Sequence, residues 1–461
     1  MSKTYTLNRR DFLTKTAIAG VGTTLGSLPL LTSCSNSSNN RNEKRTPLRT
    51  FDSIYIPDLP DKAIDGKPLN AALIGCGSRG TGAAFNFLDA GNGLSIIACA
   101  DVFHDKIDDC RALLKKQYGT EIPDEMCFTG FDAYKKACDL PVDLVLIASP
   151  NCFHPEQVKY AIEKGKHVFV EKPAAIDPKG YRTFIMALRQ AKAKGLNVIT
   201  GANYHYSRAF LEAYKHIQEG YLGRIISGSV IYNASNEQYL RHKKEWTDME
   251  YMIRGHYNWN WVNGDQVSNL LVHWIDVFMW FTHLKPIKVS AVGSRIRRIV
   301  GTVYDNFSME FEFENGVNLF GMVRRMDGCD NMVGSVIKGD KAAWHSYDMS
   351  IRDFEGNILW QYDEETANTQ HKNNDMYILE HIDLINHIRS NKVIDIAEVT
   401  ANSALACVMA RESAYTGKIC TWEQMLVSEL DMMPKDLSLN ADMSAYKTIP
   451  LPGMPIAVNQ S

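Results

Sequence analysis

Short apolar runs alternate with helical patterns along the first half of the chain. The runs typical of buried strands are Asn70–Ile74, Leu94–Ala100, Val142–Ala148, Val168–Val170 and Asn197–Thr200. Between them, residues 81–88 and 155–164 have the spacing of helices, and Asp177-Pro178 is a typical helix start, with Asp as N-cap and proline in the first turn. Strands alternating with helices predict a doubly wound parallel sheet of the Rossmann type, an α/β fold.

After about residue 205 the pattern changes to longer strands joined by turns. Residues 307–313 alternate between apolar and polar side chains, and Asn315-Gly316 then leads into Val317–Val323, which predicts a hairpin. Ser335–Lys338, followed by Gly339-Asp340, predicts another. The second half is therefore expected to form an α/β domain around a mostly antiparallel sheet with one covered face.

A helical pattern covers residues 263–281, ahead of these hairpins. On a helix, Asn269, His273, Asp276 and Trp280 would lie on one stripe, because residues three and four apart share a face. A single histidine in an apolar helix is more often a satisfied core group than a catalyst. The polar residues on the same stripe favour a functional role for His273.

The first 34 residues are typical of an export signal rather than of a folded domain. Asn8–Leu13 contains a twin-arginine pattern, and the apolar stretch 17–31 is too short to span a bilayer comfortably. Leu31–Cys34 resembles a bacterial lipobox, which predicts cleavage before Cys34 and a lipid on that cysteine. Residues 35–67, Ser/Asn-rich and then charged, are predicted to form a linker. The expected location is the periplasm or cell envelope.

Charge and cysteine usage exclude several classes of function. The formal net charge is -3 and there is no long basic run, which argues against nucleic acid as the partner and favours a small molecule. Nine cysteines remain besides Cys34, without a C-x-x-C pair or a Cys/His cluster of metal spacing. We expect buried thiols, no disulfide framework and no metal site.

A glycine-rich turn follows the first strand directly. Gly75-Cys76-Gly77-Ser78-Arg79-Gly80 has the G-x-G-x-x-G pattern between a strand and a helix, and Asp101 ends the next strand 21 residues after Gly80. Such glycines allow a tight turn, close approach of a pyrophosphate and close packing of the helix. A carboxylate at Asp101 would bind ribose hydroxyls and repel a 2′-phosphate, so NAD is favoured over NADP.

Two later strands end in polar residues at the same edge of the predicted sheet. Val142–Ala148 leads into Pro150 and Asn151, and Val168–Val170 leads into Glu171 and Lys172. A lysine at a strand end is usually only a solvated residue. Because ligands of doubly wound sheets bind beyond the carboxyl ends of the strands, the position of Lys172 favours a role in the site.

Together these motifs resemble the Gfo/Idh/MocA oxidoreductase family. The resemblance rests on the strand–GCGSRG–helix unit, on Ala148–Asn151 with His154, on Glu171-Lys172-Pro173 and on the helix with His273, in the order of the family. It covers about residues 68–425 and implies a Rossmann domain at 68–204, an open-faced α/β substrate domain at 205–425 and a tail at 426–461. Most members oxidise or reduce sugars or cyclitols with tightly held NAD(P).

The resemblance also assigns roles to residues. Lys172 would bind substrate and assist proton transfer, its bond to Pro173 would be cis, and His273 would be the general acid/base. Many members have Asp where this chain has Asn269, so proton transfer should fall on His273 with Lys172. The expected cofactor residues are Gly75, Gly77, Ser78, Arg79, Gly80, Asp101, Pro150, Asn151, His154, Glu171 and Lys172. The expected substrate residues are Lys172, Asn203, Tyr204, Tyr206, Arg208, Asn269 and His273.

Two functions of different classes remain open at this point. The first is an NAD-dependent dehydrogenase acting on a secondary hydroxyl of a sugar, glycoside or cyclitol. The second is a glycosidase or lyase that uses NAD catalytically, through transient oxidation, elimination and re-reduction. Export would favour this second function, because free NAD is not expected outside the cytoplasm. A protein that keeps NAD as structure only is disfavoured by the presence of Lys172 and His273. The open sheet is expected to allow pairing of two copies.

Overall fold

The computed structural model describes residue 48, residues 54–235 and residues 239–454. The predicted export signal at residues 1–34 lies outside these ranges. Within them, no helix combines the length and apolar character needed to cross a bilayer.

The first domain contains a six-stranded sheet in the order β3-β2-β1-β4-β5-β6, with every neighbouring pair parallel. This is the doubly wound arrangement predicted from the alternation of strands and helices. All four residues of β4 are buried, because helices cover both faces of a parallel sheet. The strands are β1 (Leu69–Ile74), β2 (Leu94–Asp101), β3 (Cys127–Thr129), β4 (Leu144–Ile147), β5 (His167–Val170) and β6 (Val198–Thr200).

Five helices connect these strands, and α5 shows how its start is specified. The Asp177 side chain accepts a hydrogen bond from the Gly180 N–H at 2.6 Å, and Pro178 occupies the first turn, as predicted. The helices are α1 (Ser78–Asp89), α2 (His104–Tyr118), α3 (Ala133–Asp139), α4 (His154–Glu163) and α5 (Pro178–Ala193).

The second domain is built on a nine-stranded sheet, β14-β13-β12-β11-β7-β10-β9-β8-β15. Both predicted hairpins are present, and the sheet is antiparallel except between β7 and β10. Asn315 and Gly316 have positive φ angles in the first hairpin turn. The strands are β7 (Ile225–Ala234), β8 (Pro286–Ser294), β9 (Asn306–Phe313), β10 (Asn318–Arg325), β11 (Met332–Gly339), β12 (Ala342–His345), β13 (Ser350–Asp353), β14 (Ile358–Gln361) and β15 (Cys420–Thr421).

One face of this sheet packs on helices, and α12 joins the two domains. Helix α12 is buried nearly all round and contacts β8, α9 and α5. The helices are α6 (Arg208–Gln218), α7 (Asp248–Arg254), α8 (Asn260–Asn263), α9 (Val272–Thr282), α10 (Glu364–Gln370), α11 (Met376–Ser390), α12 (Ala397–Thr416) and α13 (Trp422–Val427).

The prediction of a single helix over residues 263–281 is wrong. Gly264 and Asp265 have left-handed backbone angles, Val267–Leu271 forms a π-helical turn, and the α-helix begins only at Val272. Apolar periodicity does not reveal this break, because the side chains on both sides of it are buried. The π-turn contains Asn269, four residues before His273, and such turns are frequent at functional sites.

Two segments expected to lie outside the domains pack against them. In the predicted linker, Leu59 and Ala63 are buried and the Tyr55 hydroxyl donates to Asp383 at 2.6 Å. In the predicted tail, Met432 and Tyr446 are buried in a second apolar cluster together with residues of α7 and α8. The tail therefore forms part of the fold through residue 454.

Candidate functional site

A cleft of about 470 Å³ lies at the carboxyl ends of the Rossmann strands. It combines residues of the glycine-rich turn, the ends of β2, β4 and β5, and the second domain. The expected site residues in its wall are Gly75, Gly77, Ser78, Arg79, Asp101, Pro150, Asn151, Glu171, Lys172 and Asn269.

The three glycines of the turn have different physical roles. A Cβ on Gly75 would lie 2.4 Å from the Ser149 nitrogen, and one on Gly80 would lie 1.8 Å from the Gly75 oxygen. These two positions therefore require close backbone packing. A Cβ on Gly77 would meet no atom within 4 Å, since Gly77 faces the open cleft.

The start of α1 fits a bound pyrophosphate. Gly77 is its N-cap and supplies no side-chain acceptor, and the first turn contains no acidic residue. The N–H groups at a helix start attract anions, so a phosphate could accept hydrogen bonds from them here. No carboxylate of the same turn competes for these donors. The open space beside Gly77 is the approach that such a group requires.

Asp101 at the end of β2 fits the ribose of the same cofactor. Its carboxylate accepts hydrogen bonds from the N–H groups of Cys76 at 2.7 Å and Phe103 at 2.9 Å. Burial raises the pKa of Asp101. The two oxygens of a carboxylate have about four acceptor sites, so Asp101 can still accept hydrogen bonds from the ribose hydroxyls. The glycine turn, the helix start and Asp101 together fit NAD.

Arg79 and Glu171 form part of the wall but are engaged with each other. The Arg79 guanidinium donates to Glu171, lies 3.5 Å from Glu380 of α11 and stacks over the Tyr377 ring at 4.7 Å. Burial raises the pKa of Glu380 well above its usual value. Arg79 therefore connects the glycine turn to β5 and to the second half of the chain, and phosphate contact would come from its backbone.

Two expected cofactor residues lie behind the cleft rather than in its wall. The His154 ring is fully buried, with its nitrogens 2.8 Å from the Pro173 oxygen and 2.9 Å from the Ser149 oxygen. His154 therefore holds together the loops after β4 and β5, and Gly80 permits α1 to pack on β1. Both residues are buried and lie outside the set that lines the cleft.

Lys172 extends from the end of β5 into the space between the domains. Its Nζ donates to the backbone oxygen of Asn269 at 2.6 Å, and the Lys172–Pro173 bond is cis, as the resemblance implied. Burial lowers the pKa of Lys172 to about 8, against the opposing attraction of Glu171. An ammonium with this pKa can give up its proton near neutral pH.

His273 and Lys172 face the same small recess, which opens beside the cleft. Its wall also includes Ala202, Tyr204, Asp276 and Thr400. Burial lowers the pKa of His273 well below its usual value, and the charge of Lys172 lowers it further. The imidazole is therefore neutral at physiological pH and can accept a proton.

Asp276 fixes the helix that contains His273. Its carboxylate accepts hydrogen bonds from the His205 ring at 2.6 Å and from the Ser403 hydroxyl at 2.9 Å. Both partners are buried and belong to other elements. Asp276 thus anchors α9 to the loop after β6 and to α12.

The predicted substrate residues after β6 divide into two groups. Tyr204 lies in the recess, with its ring 5.7 Å from that of His273, and Asn203 is buried next to it with an unpaired amide oxygen. Tyr206 is instead packed in the core, and Arg208 donates to the oxygens of Leu59 and Asn373. These two were expected at the site, but the short 3-10 turn after β6 directs them away from it.

Several cleft residues were not predicted. Phe103 and Lys106 follow Asp101, and Arg254 covers the Phe103 ring at 3.8 Å while pairing with Asp105 at 2.9 Å. Phe103 and Lys106 could have been predicted from the sequence, because they closely follow Asp101, the carboxylate expected to bind the cofactor.

The aromatic-rich stretch 254–266 divides between the cleft and the apolar core. His256 and Tyr257 line the cleft, whereas Trp259 and Trp261 are buried in the second apolar cluster. Burial lowers the pKa of His256 to about 4.

Comparison with known families agrees with this geometry. Residues 69–201 match the profile described as "Oxidoreductase family, NAD-binding Rossmann fold", and residues 210–342 match the "GFO/IDH/MocA C-terminal domain". The two matches together span more than half of the chain.

Individual relatives share part of the sequence or the fold. Glycosyl hydrolase family 109 protein 1 of Bacteroides fragilis is 31% identical over 136 residues, covering 29% of this chain and 28% of that protein. The matched part is thus under a third of that relative's length. The scyllo-inositol dehydrogenase of Lactobacillus casei, solved with NAD(H) and scyllo-inositol, shares the fold with a TM-score of 0.58 at 20% identity, over 77% of this chain and 99% of that one.

A levoglucosan dehydrogenase solved with NADH and levoglucosan has a TM-score of 0.61 at 19% identity, over 77% of this chain and 99% of its own. At these identities the structural likeness concerns the fold. Together with the two profile matches, it shows that the chain belongs to the Gfo/Idh/MocA family of oxidoreductases and has the family's NAD-binding Rossmann domain.

Proposed function

We propose that the protein is an NAD-dependent oxidoreductase acting on a secondary hydroxyl of a sugar, glycoside or cyclitol. The observation that supports this most is the meeting of Lys172 and His273 in one recess beside the cofactor cleft. Burial keeps the His273 imidazole neutral and brings the pKa of Lys172 to about 8, near the pH at which a group can exchange a proton with a substrate hydroxyl. The two dehydrogenases of similar fold described above are named for scyllo-inositol and levoglucosan.

The proton steps follow from the charge states of these two residues. Bound NAD would supply the acceptor for the hydride of the substrate carbon. The neutral His273 imidazole accepts the hydroxyl proton, while the Lys172 ammonium donates a hydrogen bond to the same oxygen and stabilises its developing negative charge. The Asn269 side chain can orient a neighbouring hydroxyl but cannot accept its proton.

The test is a screen of sugars, cyclitols and glycosides with NAD, followed at 340 nm, with variants of the two proton-transfer residues. Lys172→Ala and His273→Ala should each lower turnover by about 10²- to 10⁴-fold while NAD remains bound. Lys164→Ala and His104→Ala serve as controls, because both side chains lie at the surface, away from the recess. Full activity of both recess variants would refute the assignment.

A second function is favoured by the relationship to glycosyl hydrolase family 109. In this case NAD, when bound, would supply the reversible oxidation of a ring hydroxyl, which makes the neighbouring C–H acidic. A basic side chain would take that proton while the glycosidic group leaves with its bonding electrons. Water would then add across the resulting double bond, and the carbonyl would be reduced again. No net redox change occurs, so the cofactor would need no external regeneration.

Nitrophenyl glycosides distinguish the two functions. A glycosidase would release nitrophenol from NAD-loaded protein without accumulation of NADH, and the sugar product would take up solvent deuterium at the carbon beside the oxidised one. A dehydrogenase would form NADH in proportion to the oxidised sugar and release no nitrophenol.

We further propose export by the twin-arginine route and a lipid on Cys34, from the motifs at residues 9–10 and 31–34. Metabolic labelling with palmitate should mark the full-length chain and leave Cys34→Ala unlabelled. Arg9→Lys combined with Arg10→Lys should retain the protein in the cytoplasm.

A pair of copies is proposed to form through the uncovered face of the nine-stranded sheet. Phe320 and Met322 of β10 and Ile226 of β7 are each about half exposed on this sheet, a typical sign of an association surface. The double substitution Phe320→Glu with Met322→Glu should shift the mass measured by light scattering to that of a monomer. An unchanged mass would refute this interface.

A further inference from the structure

Three buried cysteines meet beneath the glycine-rich turn. Cys76 lies between Gly75 and Gly77, Cys99 lies on β2 and Cys110 on α2. Their sulfur atoms are all within 4.8 Å of one another, and the residues are 2%, 0% and 0% exposed. We refer to these three residues as the thiol trio. The sequence did not reveal this group, because its members are 23 and 11 residues apart.

The immediate surroundings of the thiol trio are polar enough to orient it. The Cys76 thiol donates to the Ala100 oxygen at 3.7 Å, and the Thr81 hydroxyl donates to Cys110. Hydrogen bonds from the other two thiols lower the pKa of Cys110, while the pKa values of Cys76 and Cys99 are raised. The three thiols are thus in mutual hydrogen-bonding contact beneath the turn.

The geometry points to a trigonal site for a soft metal ion. A metal–thiolate distance of about 2.3 Å places three ligand sulfurs at the corners of a triangle with sides of about 4.0 Å, which lies within the observed spacing. Zinc in structural sites requires four ligands, and among the described residues no further Cys, His or carboxylate joins the group. We propose that the thiol trio binds one Cu(I) ion, which soft thiolate ligands select.

The thiol trio is connected to the cofactor site through Cys76. Its backbone N–H donates to Asp101 at 2.7 Å, and its neighbours Gly75 and Gly77 line the cleft. A metal that draws the Cys76 sulfur toward Cys110 would move the turn that holds the pyrophosphate. Occupancy of the trio and affinity for NAD should therefore be coupled.

Titration of the reduced, NAD-loaded protein with Cu(I), in competition with bicinchoninate, tests the site. We expect one Cu(I) per chain and an X-ray absorption spectrum with a sulfur-only shell at about 2.3 Å. Cys110→Ser, Cys110→Ala and Cys99→Ser should lose this equivalent, with folding checked by circular dichroism. Cys138→Ser, which alters a buried thiol outside the trio, should retain it.

The outcomes separate the proposal from nonspecific binding. Equal Cu(I) binding by the folded Cys110 variants and the wild type would overturn it, as would a first shell containing nitrogen or oxygen. The coupling requires a change of about tenfold in the NAD dissociation constant on adding Cu(I), absent in Cys110→Ser.

Discussion

At the scale of single residues, burial determines what Lys172 and His273 can do. Both lie where the two domains meet, and removal from water disfavours the charged form of each. The sequence could place Lys172 at the cofactor edge because a strand and the glycine turn define that edge. It could not show the hydrogen bond to Asn269, since this depends on the π-turn.

The two lowered pKa values predict a defined pH profile. For sugar oxidation, kcat/KM should be constant near neutrality and fall above about pH 8, as Lys172 loses the proton with which it binds the substrate oxygen. On the acid side it should fall only well below the usual histidine pKa, when His273 becomes protonated. Stopped-flow measurement of the first turnover across pH reports both limbs.

The variant Lys172→Arg tests the assignment of the basic limb. Arginine stays protonated throughout this range, so the variant, although slower, should show no fall near pH 8. A rate that instead rises through pH 8 in the wild type would identify Lys172 as the proton acceptor.

The open space beside Gly77 makes another prediction for a single residue. Gly77→Ala should fold normally, because the methyl group meets no neighbouring atom, yet weaken NAD binding by obstructing the cleft. A loss of about tenfold, or about 1.4 kcal/mol, is expected by isothermal titration.

Two other glycines of α1 supply the comparison. Gly80→Ala should destabilise the fold, because its methyl group would overlap the Gly75 oxygen. Gly82→Ala, within the same helix, should leave NAD affinity unchanged and raise helix stability by up to about 1 kcal/mol. Equal NAD affinity of Gly77→Ala and the wild type would contradict the proposed path of the pyrophosphate.

At the scale of elements, α9 depends on a buried polar anchor. Asp276→Ala would leave the His205 ring and the Ser403 hydroxyl without their acceptor in a dry interior. We expect a loss of about 3 kcal/mol in the free energy of unfolding, measured by urea denaturation. Turnover should fall as well, since His273 lies on the same helix.

Ser403→Ala is the matched test of this anchor, because it removes one of the two hydrogen bonds and leaves the carboxylate paired with His205. Its cost should be about 1 kcal/mol. If Asp276→Ala proves no more costly than Ser403→Ala, the anchor is not what fixes α9.

The elements also show where sequence patterns succeed. Strands β1, β2, β9 and β10 were predicted to within a residue or two, because each has a strong apolar pattern and a turn signal at its end. The π-turn at Val267–Leu271 was missed since buried residues surround the break, and burial removes the apolar contrast that periodicity measures.

At the scale of the whole molecule, the two-domain α/β architecture was predictable, whereas long-range packing was not. The change from alternating elements to hairpins near residue 205 marks the domain transition in the sequence itself. Nothing local indicates that α11 would return to the Rossmann domain, where Glu380 approaches Arg79, or that residues after 426 would pack beside the cleft. Such contacts depend on partners hundreds of residues away.

The returning C-terminal segment gives the last prediction. Tyr446 packs against Trp261 with ring centroids 5.7 Å apart, in the cluster that includes Phe103 and Ile253 of the cofactor cleft. Tyr446→Ala should therefore lower the free energy of unfolding by about 3 kcal/mol and also weaken NAD binding, because the cavity loosens one wall of the cleft. Leu439→Ala, in the same segment but 39% exposed, should change the free energy of unfolding by less than about 0.5 kcal/mol. Urea denaturation and NAD titration of both variants measure the two effects. If Tyr446→Ala lost stability but kept full NAD affinity, the segment would support the fold without shaping the cofactor site.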